Sequence, residues 1–282
     1  MTIKELLNYG IKNLRNNNIE NPVMKARIIL GFVINKPKEY IITHDKEEVI
    51  IQYINNYKVA VNKMCNGIPI QYITNKQEFM KLNFYVDENV LIPQNDTEIL
   101  VEEVMNLCKD FEKVVVLDLC TGSGAIGVSI AKYVEKSVVY ASDISSKALQ
   151  IAKLNSKNNM VSTKMNFIES NLFEKIENIK FDIIVTNPPY IETDTIKELD
   201  IEVQHEPKIA LDGGEDGLDF YKNIIENADK YLKKDGYLAL EIGYNQKEAV
   251  VNLIENTNKY KDIYSKQDLA GNDRIIVAKK VN

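Results

Sequence analysis

The chain contains no tryptophan, only two histidines and only three cysteines among its 282 residues. Cys65, Cys108 and Cys120 stand far apart, without the paired spacing of a disulfide framework or a zinc site. His44 and His205 are too few for most histidine-based centres, so no metal is expected. No apolar run approaches the roughly 18–20 residues needed to cross a bilayer. Met1–Gly10 carries Lys4 and Glu5 where a signal segment would have an apolar core. A cytoplasmic protein with no membrane partner is expected. Positive charge is also in deficit: 35 Lys and Arg against 41 Asp and Glu give −6. That speaks against a partner held by nucleic-acid phosphates.

What remains is ordinary globular material, 45% hydrophobic and 27% charged, enough for a sizeable core. The length suits one large domain and a smaller one. Charge divides unevenly between them. Residues 1–76 hold 11 Lys and Arg against 6 Asp and Glu, whereas residues 77–282 hold 24 against 35. Either the charges merely solvate two surfaces, or a basic N-terminal module helps to dock a large partner.

The first third has helical spacing. Thr2 and Glu5 form a capping-box pattern ahead of Leu6, Leu7, Ile11 and Leu14. Asn21-Pro22 opens a second helix through Ala26, Ile29, Leu30 and Val33, with Asn21 as its cap. Ile50, Tyr53, Ile54, Tyr57, Val61 and Met64 mark a third, stopped by Gly67 and Pro69. These make a small helical bundle over residues 1–76. From Gln71 to Pro93 the period shortens, and Asp87-Glu88-Asn89 supplies a turn, so residues 77–95 are expected to form a β-hairpin linker. Asp96 is expected to cap the next helix. From there to residue 282 apolar strands alternate with helices: strands at 114–119, 138–141, 165–168, 181–186, 237–242 and 274–279, and helices at 125–134, 147–155, 218–232 and 246–254. Such alternation predicts an α/β, doubly wound, mostly parallel sheet covered on both faces.

Two segments carry chemistry. Val114–Leu119 runs into Cys120-Thr121-Gly122-Ser123-Gly124-Ala125-Ile126-Gly127, a strand, a glycine turn and a helix start. Small residues there let backbone approach a ligand, and the helix start offers free N–H groups. Asp143, ending the next strand, can take both hydroxyls of a ribose. G-x-G-x-x-G by itself also fits dinucleotide enzymes. Asp118 inside the turn favours S-adenosylmethionine, because its charge would repel a pyrophosphate but attract a sulfonium or ammonium group. Cys120 reads as a small tolerated residue rather than a nucleophile.

The second segment is Phe181–Thr186 leading into Asn187-Pro188-Pro189-Tyr190. In open α/β sheets ligands bind at the carboxyl ends of strands, so this turn and the glycine loop face one place. An amide or arylamine nitrogen is a poor nucleophile, its lone pair being delocalised. Two acceptors aimed at its hydrogens orient it and enrich its electrons. The Asn187 side-chain oxygen and the Pro188 backbone oxygen have that chemistry. The prolines stiffen the turn, and Tyr190 can pack on a planar group. No histidine base stands at this place, so positioning and electrostatics must suffice.

Together these residues resemble the class I methyltransferases. More narrowly, the chain resembles the bacterial release factor glutamine methyltransferases. The resemblance rests on Asp118-x-x-Thr121-Gly122-Ser123-Gly124-Ala125-Ile126, on Asn187-Pro188-Pro189-Tyr190, and on Glu206-Pro207 with Ala210–Leu218. Gly67-x-Pro69-x-x-Tyr72-Ile73, Leu91-Ile92-Pro93 with Asp96-Thr97-Glu98, Glu241-Ile242-Gly243 and Asp268-Leu269-Ala270-Gly271 agree, so it spans nearly the whole chain. It implies a seven-stranded Rossmann-like methyltransferase domain and a substrate-docking N-terminal domain. The implied reaction methylates the side-chain amide nitrogen (N5) of the glutamine in the Gly-Gly-Gln loop of class 1 peptide chain release factors, leaving S-adenosylhomocysteine. It implies further that Asp118 and Cys120–Gly124 surround the cofactor's methionine part. Asp143 with Ile144 would meet its ribose, Asn171 with Leu172 its adenine, and Asn187–Tyr190 the glutamine. Two positions depart from the family pattern. Gln94-Asn95 stands where Arg-Pro is usual, and Asn171 where Asp is usual.

Other classes fit less well. An adenine-N6 methyltransferase on DNA or RNA would call for a basic catalytic face and stacking aromatics, whereas residues 77–282 are acidic. A glutamine methyltransferase acting on a ribosomal protein shares the chemistry. Asn187–Tyr190 argues against a nicotinamide oxidoreductase. Glu206, Asp212 and Asp216 read equally as loop caps or as functional carboxylates, and a monomer is expected.

Overall fold

A computed structural model describes residues 1–281, which divide into two compact bodies. The first comprises residues 1–76 and 200–205. Its helices are α1 (Ile3–Asn16), α2 (Pro22–Ile34), α3 (Lys38–Thr43), α4 (Ile51–Cys65) and α5 (Ile70–Thr74). The Thr2–Glu5 capping box is present in full. Asn21 differs from expectation: it turns left-handed (φ 49°) and makes no side-chain cap, leaving the start of α2 to Pro22. Leu6, Leu14, Ile29, Leu30, Tyr57 and Met64 fill this body's own core. Residues 200–205 belong here as well. Ile201 lies against Gly67, and Glu202 accepts from Lys25 Nζ at 2.9 Å.

The second body holds residues 77–199 and 206–281. It opens with β1 (Gln77–Phe79) and β2 (Leu82–Phe84), paired antiparallel, then α6 (Asn95–Leu107). The hairpin turns at Met80-Lys81, both with positive φ (49° and 58°), and not at 87–89. Glu98 accepts from the Met80 amide and Tyr133 donates to the Met80 carbonyl, so tertiary bonds supply what a glycine turn would have. Asp87-Glu88-Asn89 is a turn of another kind, with Asp87 Oδ1 accepting from the Asn89 amide at 2.9 Å. Phe79 and Phe84 enter the core beside the sheet, making the hairpin part of this body rather than a separate linker. Gln94, not Asp96, precedes α6, and Asp96 instead pairs with Arg274 at 3.0 Å.

The remaining elements follow in order: β3 (Val114–Leu119), α7 (Ala125–Tyr133), β4 (Ser137–Asp143), α8 (Ser146–Asn158), β5 (Met165–Glu169) and β6 (Phe181–Thr186). After them come α9 (Ile201–Gln204, in the first body), α10 (Lys208–Leu211), α11 (Asp219–Ala228), β7 (Leu232–Glu241), α12 (Lys247–Thr257), β8 (Tyr260–Gln267) and β9 (Asp273–Lys280). Strands β3 to β9 form one seven-stranded sheet in the order β5-β4-β3-β6-β7-β9-β8. It is parallel through β7, with β9 antiparallel to both β7 and β8. Alternate residues of β3 feed two cores, Val114 and Val116 on one face, Leu117 and Leu119 on the other, as a pleat of period two demands. Sequence pattern misses β8. Only Tyr260 of its eight residues is buried, and Lys261, Asp262 and Lys266 keep this edge strand polar. It also runs α11 four residues too far, into the start of β7.

Candidate active site

Strand order reverses at β3. The chain steps outward through β4 and β5, then returns to β6 and β7 on the other side. At such a switch point the loops part and leave a crevice beyond the strand ends. Here it is a cleft, partly open to solvent, walled by Cys120, Gly122, Ser142, Asp143, Leu172 and Asn187. Ile144, Asn171 and Pro189 also face it.

The glycine loop forms one wall. Gly122 has φ 53°, and a Cβ there would meet nothing within 4 Å. Glycine is required for the left-handed backbone, and the open side lets a ligand reach the main chain. Its amide donates to Asp143 Oδ2 at 2.8 Å, and the Ser145 amide to Oδ1 at 2.9 Å. Burial raises the Asp143 pKa, and these amide donors pull against that. Asp118 does not line the cleft. It lies fully buried beneath the loop, its Oδ2 accepting from the Thr121 hydroxyl and from the Gly127 amide at 2.9 Å. Burial pushes its pKa up to about 7. Through these two hydrogen bonds the carboxyl braces the turn from below. Thr121, Ser123 and Gly124 are buried too, shaping the loop without lining the cleft. Burial raises the pKa of the Cys120 thiol, which disfavours the thiolate.

The opposite wall is the turn after β6. All six residues of β6 are buried, so its exit is fixed, and Asn187 emerges at the cleft. Asn187 Nδ2 donates to Thr97 Oγ1 at 3.2 Å, which turns the amide oxygen the other way. Pro189 lines the cleft, Pro188 is buried, and the Tyr190 ring is not in the wall. Tyr190 instead faces Glu241 and packs near Gly243. The ring thus stands behind the cleft wall, and the main chain of Tyr190 holds the turn. The Tyr190 carbonyl accepts from Gln246 Nε2 at 3.0 Å, and a Cβ on Gly217 (φ 69°) would sit 2.5 Å from that carbonyl oxygen. The turn is clamped against backbone where only glycine fits.

S-adenosylmethionine suits this donor set. Asp143 offers a carboxylate for a diol, and Leu172 and Ile144 give apolar faces for a base. Ser142 lines the cleft, and its Oγ is buried without a hydrogen-bond partner among the described residues.

Comparison with known proteins agrees with this geometry. Residues 94–206 match the Methyltransferase small domain model and residues 5–74 the PrmC N-terminal domain model. A release factor glutamine methyltransferase from Clostridium acetobutylicum is 41% identical over 281 residues, covering 99% of this chain and 98% of that protein. One from Moorella thermoacetica is 35% identical over 278 residues, covering 99% and 98%. The chain belongs to the release factor glutamine methyltransferase family. Solved structures add the fold alone. A Pyrococcus furiosus methyltransferase aligns with a TM-score of 0.52 at 17% identity, covering 81% of this chain and all of that one. A T. thermophilus 16S rRNA N2 G1207 methyltransferase, in complex with AdoMet and guanosine, gives 0.52 at 18%, covering 73% and 50%.

Within this family member the two departures have local partners. Gln94 Nε2 donates to the Ile92 carbonyl at 2.9 Å, and Asn171 Nδ2 to Glu174 Oε1 at 2.7 Å. Asp212 accepts from Thr193 and the Gly214 amide, and Asp216 from the Leu218 amide and Lys222, so both hold turns. His205 lies 3.1 Å from the Asn66 carbonyl, in the helical body. Thr97 and Glu241 form the layer behind Asn187. The motifs containing them stood out in the sequence, but nothing there showed that they meet.

Glu206 is buried, accepts from the Ile92 amide at 2.8 Å, and has its pKa pushed up by burial to about 7. A carboxyl with a raised folded pKa binds its proton more tightly folded than unfolded. Stability should therefore fall as pH rises from about 4.5 to about 7, by up to about 3 kcal/mol from this group. Denaturant melts of Glu206→Gln at pH 5 and pH 8 should show a smaller pH dependence than the parent chain. An equal dependence in both would show that Glu206 is ionised as in water.

Proposed function

We propose that this chain methylates the side-chain amide nitrogen of the glutamine in the Gly-Gly-Gln loop of class 1 peptide chain release factors, using S-adenosylmethionine. The observation behind this reading is the Asn187 amide, tied by its NH2 to Thr97 and so offering its oxygen to the cleft. When bound, S-adenosylmethionine supplies a methyl carbon activated by its positive sulfur, and the C–S bond breaks as the N–C bond forms. Asp143 and the Gly122 edge would hold its ribose and amino-acid parts. Asn187 Oδ1 and the Pro188 carbonyl would each accept one hydrogen of the glutamine NH2. That leaves the nitrogen lone pair directed at the methyl group and stabilises the charge that develops on nitrogen. The extra proton leaves nitrogen after transfer and passes to solvent water at the open side of the cleft. The clamped turn keeps the acceptors in place at no further cost during reaction.

Residues 1–76 carry the basic surplus described above, and α2 exposes Met24, Ile28 and Phe32 at four-residue steps. We read this face as the place where the protein substrate docks. Incubation with labelled cofactor and purified release factors, followed by peptide mass spectrometry, should place one methyl on the Gly-Gly-Gln glutamine. Label on a ribosomal protein or on nucleic acid, with the release factors unmodified, would remove the proposal.

A further inference from the structure

Asn187 can serve as an acceptor only if its oxygen, not its NH2, faces the cleft. A side-chain amide is nearly symmetric in shape, so packing alone does not decide between the two orientations. We propose that Glu241 is a positioning residue which, with Thr97, holds the Asn187 NH2 away from the cleft and thereby keeps its oxygen on the substrate. This rests on the reading of Asn187 as the substrate acceptor.

The fold brings the three side chains together from distant segments. Thr186 pairs with Leu240 across β6 and β7, so the next residues, Asn187 just past the end of β6 and Glu241 at the last position of β7, stand side by side. Thr97 reaches them from the first turn of α6, only 4% exposed. The Thr97 hydroxyl and the Asn187 side chain stand close enough to the Glu241 carboxyl to favour its ionised form. Donor and acceptor roles then follow from chemistry. An ionised carboxylate only accepts, so beside it the single hydrogen of Thr97 is drawn towards Glu241. The Thr97 oxygen is left as an acceptor for Asn187 Nδ2, the bond observed at 3.2 Å. With a carboxylate and a hydroxyl oxygen both accepting, the NH2 end of Asn187 must point inward.

Stability alone does not explain this carboxylate. Glu241 is 3% exposed, and its Oε2 has no hydrogen-bond partner among the described residues. The nearby cation, Arg274, is paired with Asp96 and Asp268. A buried, half-satisfied carboxylate is costly, and glutamine would fill the same space without charge. Glutamine, however, can turn its own NH2 towards Thr97 and Asn187. It would then let Thr97 redirect its hydrogen and Asn187 reverse.

The same logic makes activity depend on pH. Glu241 is faced by Asp96 and Thr97 from α6, Arg274 from β9 and Tyr190 after β6, while Tyr221 of α11 donates to its main-chain oxygen. Burial raises its pKa to about 7, Asp96 adding to this and Arg274 opposing it. Protonation turns one carboxyl oxygen into a donor and removes the constraint. Turnover should therefore rise with pH through about 7.

The test compares Glu241→Gln, Thr97→Val and Thr97→Ser with the parent chain on intact release factor. For the first two variants, kcat is expected to fall about 10- to 100-fold, as when the partner orienting a metal ligand is removed. The cofactor KM should move little, and Thr97→Ser should restore most of what Thr97→Val loses. Glu241→Gln should melt no lower than the parent and should lose the acidic limb of the kcat profile. Parental kcat and an unchanged limb in Glu241→Gln would overturn the inference. So would a fall in kcat matched by equal losses of cofactor affinity and melting temperature, which marks a structural role only. Asn187→Ala in the same series separates the two claims. If it is inactive while Glu241→Gln is fully active, only this inference fails. If it is itself active, the acceptor reading fails.

Discussion

Asn187→Ala is expected to lower methyl transfer at saturating substrates by roughly 100- to 1000-fold, the loss typical when one preorganised electrostatic partner of a transition state is removed. The effect should fall on kcat. In the ground state the glutamine amide is neutral, and water can replace a lost acceptor. As nitrogen becomes bonded to the methyl carbon its hydrogens turn acidic, and the Asn187 oxygen is worth most there. The side chain also lines the cleft, yet S-adenosylmethionine affinity should weaken far less than turnover, because Asp143, the glycine loop and Leu172 remain. Single-turnover rates beside calorimetric cofactor titration separate the two. Normal turnover in this variant would show that the glutamine nitrogen is oriented by other groups.

Asp143→Ala should give the opposite signature. A carboxylate accepting from two ribose hydroxyls makes two charge-assisted hydrogen bonds, each worth about 1.5–3 kcal/mol. Losing both should weaken the cofactor roughly 100-fold or more. The variant also frees the Gly122 and Ser145 amides that Asp143 holds at 2.8 and 2.9 Å, so the loop itself loosens. Turnover should recover when cofactor is raised, since Asn187 and the clamped turn are untouched. Thermal shift with cofactor reads this directly: the parent chain should be stabilised and Asp143→Ala should not, at a concentration saturating for the parent. Equal stabilisation of both would place the ribose elsewhere. These two variants fail in different kinetic constants, so together they separate binding from chemistry.

Much of this was legible in the residues. The continuous apolar runs of β3 and β6 are buried because both faces of a parallel sheet are covered. The Thr2–Glu5 cap is a purely local device. Asp143 and Asn187 were legible because each ends an apolar strand, and strand ends in this architecture meet at one crevice. What failed depended on partners far away in sequence. The hairpin turns at Met80-Lys81 because Glu98 and Tyr133 hold it. Strand β8 carries too few apolar residues to announce itself, and pairs because β9 offers an edge. Asp118 looked like a ligand for a cation, but Thr121 and Gly127 draw it under the loop. Tyr190 read as a stacking platform, and its ring lies beside Glu241 and Gly243 and outside the cleft wall.

The sequence by itself determined the order of the main strands and helices apart from β8, the glycine turn and the Asn-Pro-Pro-Tyr turn, since these follow from side-chain periodicity and backbone chemistry within a few residues. Only tertiary structure decided which polar groups face the cleft and which stand behind it. The reason is physical: the direction of a buried carboxylate or amide is set by its hydrogen-bond partners. For Asn187 that partner is Thr97, which the chain places 90 residues before it.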